Sequence, residues 1–546
     1  MALGYLRLFQ GGVFAGIFIL LIPAAAVEIR RFPLPKFKTN LTPLEWACAA
    51  LVLYVLCLAA LGCGSPPTDW DSLAYHQAFP KIFLAREQIP DLDWSYNAFF
   101  PLSSEMLYTL LLSLRSGEAA QWMNFFHGLF LLAAVFGFAD KKFGRKSAWL
   151  AAALLAAQPI FLRVNGNAST DFAVTLASFL AVRTFVEGGS PRLAGLLAGA
   201  AACHKLTGLW TAAALAVLYA PRPKDLLRFA CACALLGAPW YLRVWLWKGN
   251  PFWPHFGSLF GASPAELLLE QRIKLSITEG APKTLLNFVL SPFHFIFGRQ
   301  DYGQKPYYLA AVFSAFLAWK TWRSKASLKD PAEKRILLFL ALFWVLWFWV
   351  YQMWRYLLPA AAWASVLTAA WALELSSNRK GARPAAAGLM LLAVLPVLTL
   401  SAGSRPFAFF GVKSKAFPGL TSRERYLEAA LGPVYPAMRK AGAVLPTDAR
   451  VALFGEVRGY YLDRPYAWCD SLNPGYVDYD SFKTGRDLRQ DLVMKGYTHV
   501  LVNPYTGPYQ GAGDYHARAN RIIAEFLRQD TVPLADERGV VIARIH

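Results

Sequence analysis

The stretch "PLEWACAALVLYVLCLAALGC" (residues 43–63), followed at once by "GSPPTDWDSLAYH" (64–76), decides what kind of molecule this is. Its apolar part carries one charge, Glu45 near the start, and about 20 such residues wound as a helix cross about 30 Å of hydrocarbon. Just past its far end two carboxylates, Asp69 and Asp71, stand one residue apart, with Tyr75 and His76 close behind. Runs at 9–27, 119–138, 336–353 and 384–402 have no charge at all. Of the 546 residues 56% are hydrophobic and 16% charged, where a soluble domain carries about 25% charged. These signs describe a polytopic α-helical membrane protein.

The net charge of +20 is not a nucleic-acid signature, because of where it sits. Lys and Arg gather in short connectors: "EIRRFPLPKFK" (28–38), "DKKFGRK" (140–146), "PRPKDLLR" (221–228), "KTWRSKASLKDPAEKR" (320–335) and "NRKGAR" (378–383). Connectors between them, such as "NGNAST" (165–170), have none, and alternation of this kind is the positive-inside pattern of a threaded chain. No basic face is left for a phosphate backbone. The expected spans are 9–27, 43–63, 119–138, 147–163, 170–187, 192–204, 206–220, 226–246, 307–321, 335–353, 356–376 and 384–402, about twelve helices. The first is preceded only by Arg7 and followed by basic residues, the reverse of a cleaved signal, so it reads as a retained helix that starts outside. Residues 192–204 and 206–220 are short for full crossings and meet at "CHKLTG", as broken helices do where they line a protein-enclosed cavity.

On this threading residues 1–402 form a membrane domain with two long external loops, 64–118 and 247–306. The first is expected to hold an amphipathic helix from about 72, with Tyr75, Phe79, Ile82 and Phe83 on one face, and a second apolar helix at 103–115. Residues 403–546 turn to ordinary polar composition. There "RVALFG" (450–455), "YTHVLVN" (497–503) and "GVVIARI" (539–545) read as strands alternating with helices at 423–440 and 515–528, a small extracytoplasmic α/β domain. Seven cysteines give no disulfide framework: six lie in or at the ends of apolar spans and Cys469 stands alone.

Ionisable groups in a membrane segment are costly and mark function by default. Here Asp69, Asp71, Asp171, His204, Lys205, Arg243 and Arg355 all fall near one membrane surface, on helices with no structural need to agree. A transporter or flippase would set such groups near the midplane, whereas an enzyme acting on a lipid headgroup would set them here. Lys205, Arg243 and Arg355 suit a phosphate, and a carboxylate suits removal of a proton from an attacking group. A non-catalytic scaffold whose C-terminal domain binds glycans is a third class. Each residue also has an ordinary alternative. Thr68 and Asp71 fit a helix-start capping pattern, Asp171 an N-cap, Lys205 a snorkelling ammonium and Arg355 an interfacial anchor. His204 suits a packed core position, and Tyr75, His76, Asn250 and His255 belong by default to aromatic belts or loops. Asp69 and Asp71 together also offer oxygen ligands for a divalent cation, though few of them.

Taken in order, "WDSLAYHQAFPKIFL" (70–84), "STDFAVTLASFLAV" (169–182), "GLLAGAAACHKLTGL" (195–209), "PWYLRVWLWKGNPFWP" (239–254), "RYLLPA" (355–360), "LFGEVRGYYLDRPY" (453–466) and "GYTHVLVN" (496–503) resemble the GT-C-fold membrane glycosyltransferases. These include protein O-mannosyltransferases, bacterial aminoarabinose-lipid A transferases and RgtA/B/C/D-like proteins. The resemblance implies a polyprenyl-phosphate sugar donor, inverting transfer to a glycan, lipid or protein acceptor, and a site on the extracytoplasmic side of the inner membrane. It further implies that Asp71, four residues before Tyr75, is the general base, with Asp69 making a D-x-D-like pair. Lys205 falls where the family places a lysine at the donor phosphate, and Asp171 where an acid begins a helix beside the pocket. At "YLRVW" the chain departs from the family's usual Arg-Asn, keeping Arg243 but placing Val244 after it.

Overall fold

The computed structural model describes residues 2–31, 40–114, 117–276, 281–294, 308–323, 330–378, 383–402, 421–471, 475–504 and 514–546. The expected domain boundary at 403, the basic stretch within 28–38 and the segment around "GRQDYGQKP" lie outside the described residues.

Among the described residues, four helices are individually long and apolar enough to span a membrane: α1 Pro43–Cys63, then Gly117–Phe143, Pro223–Lys248 and Trp354–Ser377. A fifth candidate is a bent pair, α2 Arg145–Ala156 and α3 Pro159–Asn165, which meet at 69°. Pro159 has no N–H to continue α2 and pushes Gln158 out of helical geometry, so the span breaks there. The expected spans at 170–187, 192–204 and 206–220 appear as α4 Asp171–Val186, α5 Pro191–His204 and α6 Gly208–Tyr219. That at 335–353 appears as α7 Pro331–Val350, and that at 356–376 as α8 Leu358–Asn378, continuous with the short turn Trp354–Leu357.

The membrane core is aromatic and close-packed. Trp347, Trp363 and Trp371 are fully buried, and Phe179 stacks on Trp363 with ring centroids 4.4 Å apart. Small residues set the closest approach. A side chain on Gly195 would come within 2.2 Å of Phe229 O, and one on Gly199 within 2.4 Å of Cys233 O, so "GLLAG" lets α5 lie directly on Pro223–Lys248. That contact fixes where α5 ends and Lys205 begins.

The amphipathic helix expected from residue 72 is broken in two. Ser72–His76 forms a wide π-type turn, and Ala78–Arg86 a separate helix. Phe79 and Phe83 are buried, not spread on a surface, and share one core with the C-terminal domain. In that domain β1 Val451–Phe454, β2 Tyr466–Trp468, β3 His499–Val502, β4 Thr531–Glu537 and β5 Val540–Ile545 form a sheet of order β2-β1-β3-β5-β4. Strands β1, β2 and β3 run parallel, while β5 lies antiparallel to both β3 and β4. The helix expected over 423–440 is interrupted by Gly432 and Pro433.

The sheet domain grips the loop that carries the two aspartates. Lys81 Nζ donates to Tyr460 O at 2.8 Å and pairs with Asp463 at 2.8 Å, and the Tyr461 hydroxyl donates to Pro67 O at 2.8 Å. Arg458, held by the buried Glu456 carboxylate at 2.7 and 2.8 Å, lies 4.5 Å over the Trp70 ring.

Candidate active site

Two amides in the apolar stretch of Gly117–Phe143 assemble the site. Gln121 Nε2 donates to Ser65 O at 2.7 Å, just past the end of α1. Asn124 Nδ2 donates to Val164 O and Asn167 O at 2.8 and 2.9 Å, at the end of α3. The chain leaving α1 and the turn after α3 are thereby hung on one helix, and the "DWD" segment comes to face "NGNAS".

Between them lies a cleft of about 270 Å³. Asp69, Trp70 and Asp71 form one side, Arg163, Asn167 and Ser169 another, and Met353, Trp354 and Arg355 a third. The third side is rigid because the Trp347 indole donates to Met353 O at 2.8 Å. Arg355 Nη1 meets Asp71 Oδ2 at 2.7 Å across 284 residues of sequence, with both side chains 26% exposed. Asp71 Oδ1 accepts no hydrogen bond among the described residues. Burial acts to raise this carboxyl, but the Arg355 guanidinium, helped by His76 and Lys205, holds it below the ordinary carboxylate value. An ionised carboxylate with one oxygen open to a cleft is equipped to take a proton.

Asp69 is differently employed. Its Oδ2 accepts from the Ser72 N–H at 3.2 Å and the Ser72 hydroxyl at 3.3 Å, and Asn167 donates to Oδ1 at 3.4 Å. The capping role expected for Thr68 therefore belongs to Asp69, while Thr68 Oγ1 meets the Tyr426 hydroxyl at 3.3 Å. Asp171 and Lys205 form a second pair at 2.9 Å, and Ser169 Oγ donates to the other Asp171 oxygen at 2.8 Å. Lys205 Nζ lies 4.6 Å over the ring of Tyr356, the residue after Arg355, so this pair backs the wall that Arg355 lines.

Other expected site residues stand elsewhere. Arg243 is buried outside the cleft wall, donating to Ala98 O at 2.9 Å and stacked 4.3 Å over Trp247. Sequence reading had no means of knowing its angle about the helix axis. Asn250 closes a turn, donating to His255 O at 2.7 Å and accepting from Phe252 N at 2.8 Å, which accounts for both residues as loop structure. His204 bonds Ser104 Oγ at 2.8 Å, and His76 bonds the buried Glu105 at 2.5 Å. Tyr75 packs on His76 and Phe79, and burial, with the Asp71 charge, pushes its hydroxyl well above the usual value, so it stays protonated.

Among the described residues no three His, Cys, Asp or Glu side chains converge as metal ligands. Asp69 and Asp71, the pair with that potential, are turned to Ser72 and Arg355. Sequence reading missed Arg163, Trp70, Asn167, Gln121 and Asn124. The amides were visible as polar residues in apolar runs, which is signal enough.

No family model matches the sequence, and no curated protein does. Among solved structures, the chain is similar to ArnT from Cupriavidus metallidurans bound to undecaprenyl phosphate: 15% identity, TM-score 0.55, over 92% of this chain and 98% of that one. The apo state of the same protein gives 14%, 0.54, 91% and 97%. The Archaeoglobus fulgidus oligosaccharyltransferase is less similar, at 13% identity and TM-score 0.49, over 91% of this chain and 73% of that one. Over nearly its whole length the chain has the fold of ArnT.

Proposed function

We propose that this membrane protein is an inverting glycosyltransferase that takes its sugar from a polyprenyl-phosphate donor. The observation that carries the reading is the Asp71 carboxylate. It is ionised, oriented by Arg355 through one oxygen and open to the cleft through the other, in a fold shared with a protein that binds undecaprenyl phosphate.

In the proposed step an acceptor hydroxyl or amine attacks the anomeric carbon from the face opposite the phosphate. The bond from that carbon to the phosphate oxygen breaks, and the acceptor proton passes to Asp71 Oδ1. The phosphate leaves carrying the electron pair and needs no acid to protonate it, so one carboxylate suffices, unlike the two of a glycosidase. Arg355 is placed both to orient Asp71 and to offset charge on the leaving group, with the Asp171–Lys205 pair supporting it from behind. The cleft and the C-terminal domain face the extracytoplasmic side of the inner membrane in this reading, as the basic connectors imply.

Purified protein in nanodiscs, offered a panel of polyprenyl-phosphate sugars and scored for sugar release or transfer, tests the reading. Wild type is expected to consume at least one donor. Asp71→Asn, with its folding verified, is expected to lose about 10²–10⁴-fold in rate. A wild type inert to every donor that nevertheless moves the lipid-linked sugar across the bilayer of proteoliposomes would replace the transferase with a flippase. Retained transfer by Asp71→Asn would remove Asp71 as the base.

A further inference from the structure

The two cations that line the cleft, Arg163 and Arg355, and Lys205 behind its wall are not equivalent. Arg355 is matched by Asp71 at 2.7 Å, and Lys205 by Asp171 at 2.9 Å. Arg163 is matched by nothing: it is exposed, it lines the cleft, and among the described residues it forms no ion pair. Asp69 shares the cleft, but its two oxygens are taken by Ser72 and Asn167.

The geometry of Arg163 is prepared as well as free. The bend at Pro159 sets α3 across the direction of α2, which brings Arg163 to the cleft instead of along the span. Its guanidinium lies 5.7 Å over the ring of Trp354, which is itself 6% exposed and therefore a fixed platform. A guanidinium attracted to an aromatic ring keeps N–H groups to offer, and its fork matches two oxygens of a phosphate. Trp354 and Arg355 are consecutive, so the free guanidinium and the paired one flank a single rigid turn. An anion entering here meets Arg163 without first having to break a salt bridge. Displacing either paired cation would leave a carboxylate without its counter-ion, a costly exchange in a partly enclosed site.

We propose that Arg163 is the phosphate-anchoring residue of the cleft, binding two non-bridging oxygens of a phosphate monoester while Arg355 stays with Asp71. The identity of that monoester as polyprenyl phosphate rests on the transferase reading above. The recognition chemistry asks only for a phosphate, which inorganic phosphate also offers.

The test is equilibrium binding of sugar-free polyprenyl phosphate to the full chain in nanodiscs, with inorganic phosphate as a parallel titrant and thermal melting as the check on folding. Wild type is expected to bind the lipid, Arg163→Ala to bind it about tenfold or more weakly, and Arg163→Lys to fall well short of wild type because a point charge cannot supply the fork. Because Arg163 is exposed, neither substitution is expected to move the melting temperature appreciably. Wild-type binding unchanged by both substitutions overturns the Arg163 assignment and leaves the transferase reading standing. Arg163-dependent binding of inorganic phosphate with no binding of lipid keeps Arg163 as a phosphate site and overturns the lipid donor. Binding of neither ligand overturns both.

Discussion

Asp71–Arg355 and Asp171–Lys205 are the same chemical object, a carboxylate with a cation at 2.7 or 2.9 Å, yet they are finished differently. In the first pair both side chains are 26% exposed and one carboxylate oxygen is left open; in the second the exposures are 15% for Lys205 and 5% for Asp171, and the second oxygen is filled by Ser169. A saturated pair is held for what it does to the structure around it. A pair with an unused acceptor facing a cleft has capacity left for a substrate. Spare valence, more than charge or depth, separates the two.

The sharpest way to break this comparison is to remove one charge from each pair. Asp171→Asn leaves the largely enclosed Lys205 without its counter-ion and is expected to cost about 3–5 kcal/mol, read as a large drop in melting temperature in detergent. Asp71→Asn is expected to cost about 1 kcal/mol or less in stability while abolishing transfer, because its pair is partly open to water. Equal stability losses in the two variants would erase the distinction.

A smaller effect concerns pH. The Asp71 carboxyl is depressed, so it stays ionised as pH falls through the ordinary carboxylate range, and activity is lost only as pH falls through its lower folded value. In Arg355→Ala burial is no longer offset by the nearest cation, the carboxyl titrates higher, and the acid limb of kcat/KM is expected to move to higher pH. A limb that stays in place would show that Arg355 does not tune the base. The smallest effect is expected at Arg243. Arg243→Lys loses a stacked contact on Trp247 and about 1 kcal/mol of stability, with lipid affinity and transfer rate near wild type.

Much of the architecture was legible because membrane helices announce themselves by uninterrupted apolar runs. Counting residues along them also led to the expectation that Asp71, Asp171, Lys205 and Arg355 share one level, and the structure pairs Asp71 with Arg355 and Asp171 with Lys205. Rotation about each helix axis did not follow. Arg243 packs into Trp247, whereas Arg355 reaches Asp71. Arg163 was hidden for a related reason: in "PIFLRVNG" it reads as the tail of a straight span, and only the 69° break after Gln158 sends it to the cleft. The "GLLAG" spacing that seats α5 was present to be read, and so were Gln121 and Asn124. In the C-terminal domain three strands were found as short apolar runs between helical ones, while β2 was too short and β4 too polar to stand out.

The grip of the sheet domain on the aspartate loop has a consequence in time. Lys81 waits for Tyr460, 379 residues later in synthesis, and the core that holds Phe79 and Phe83 is completed only when the strands join it. The helices around them insert long before that. A chain halted between the two events would hold its spans in the bilayer and carry both aspartates, but Trp70 would lack Arg458 behind it and the cleft would lack a fixed wall. The cleft's Trp70 side is therefore completed only once the strand segments that carry Arg458 have been made.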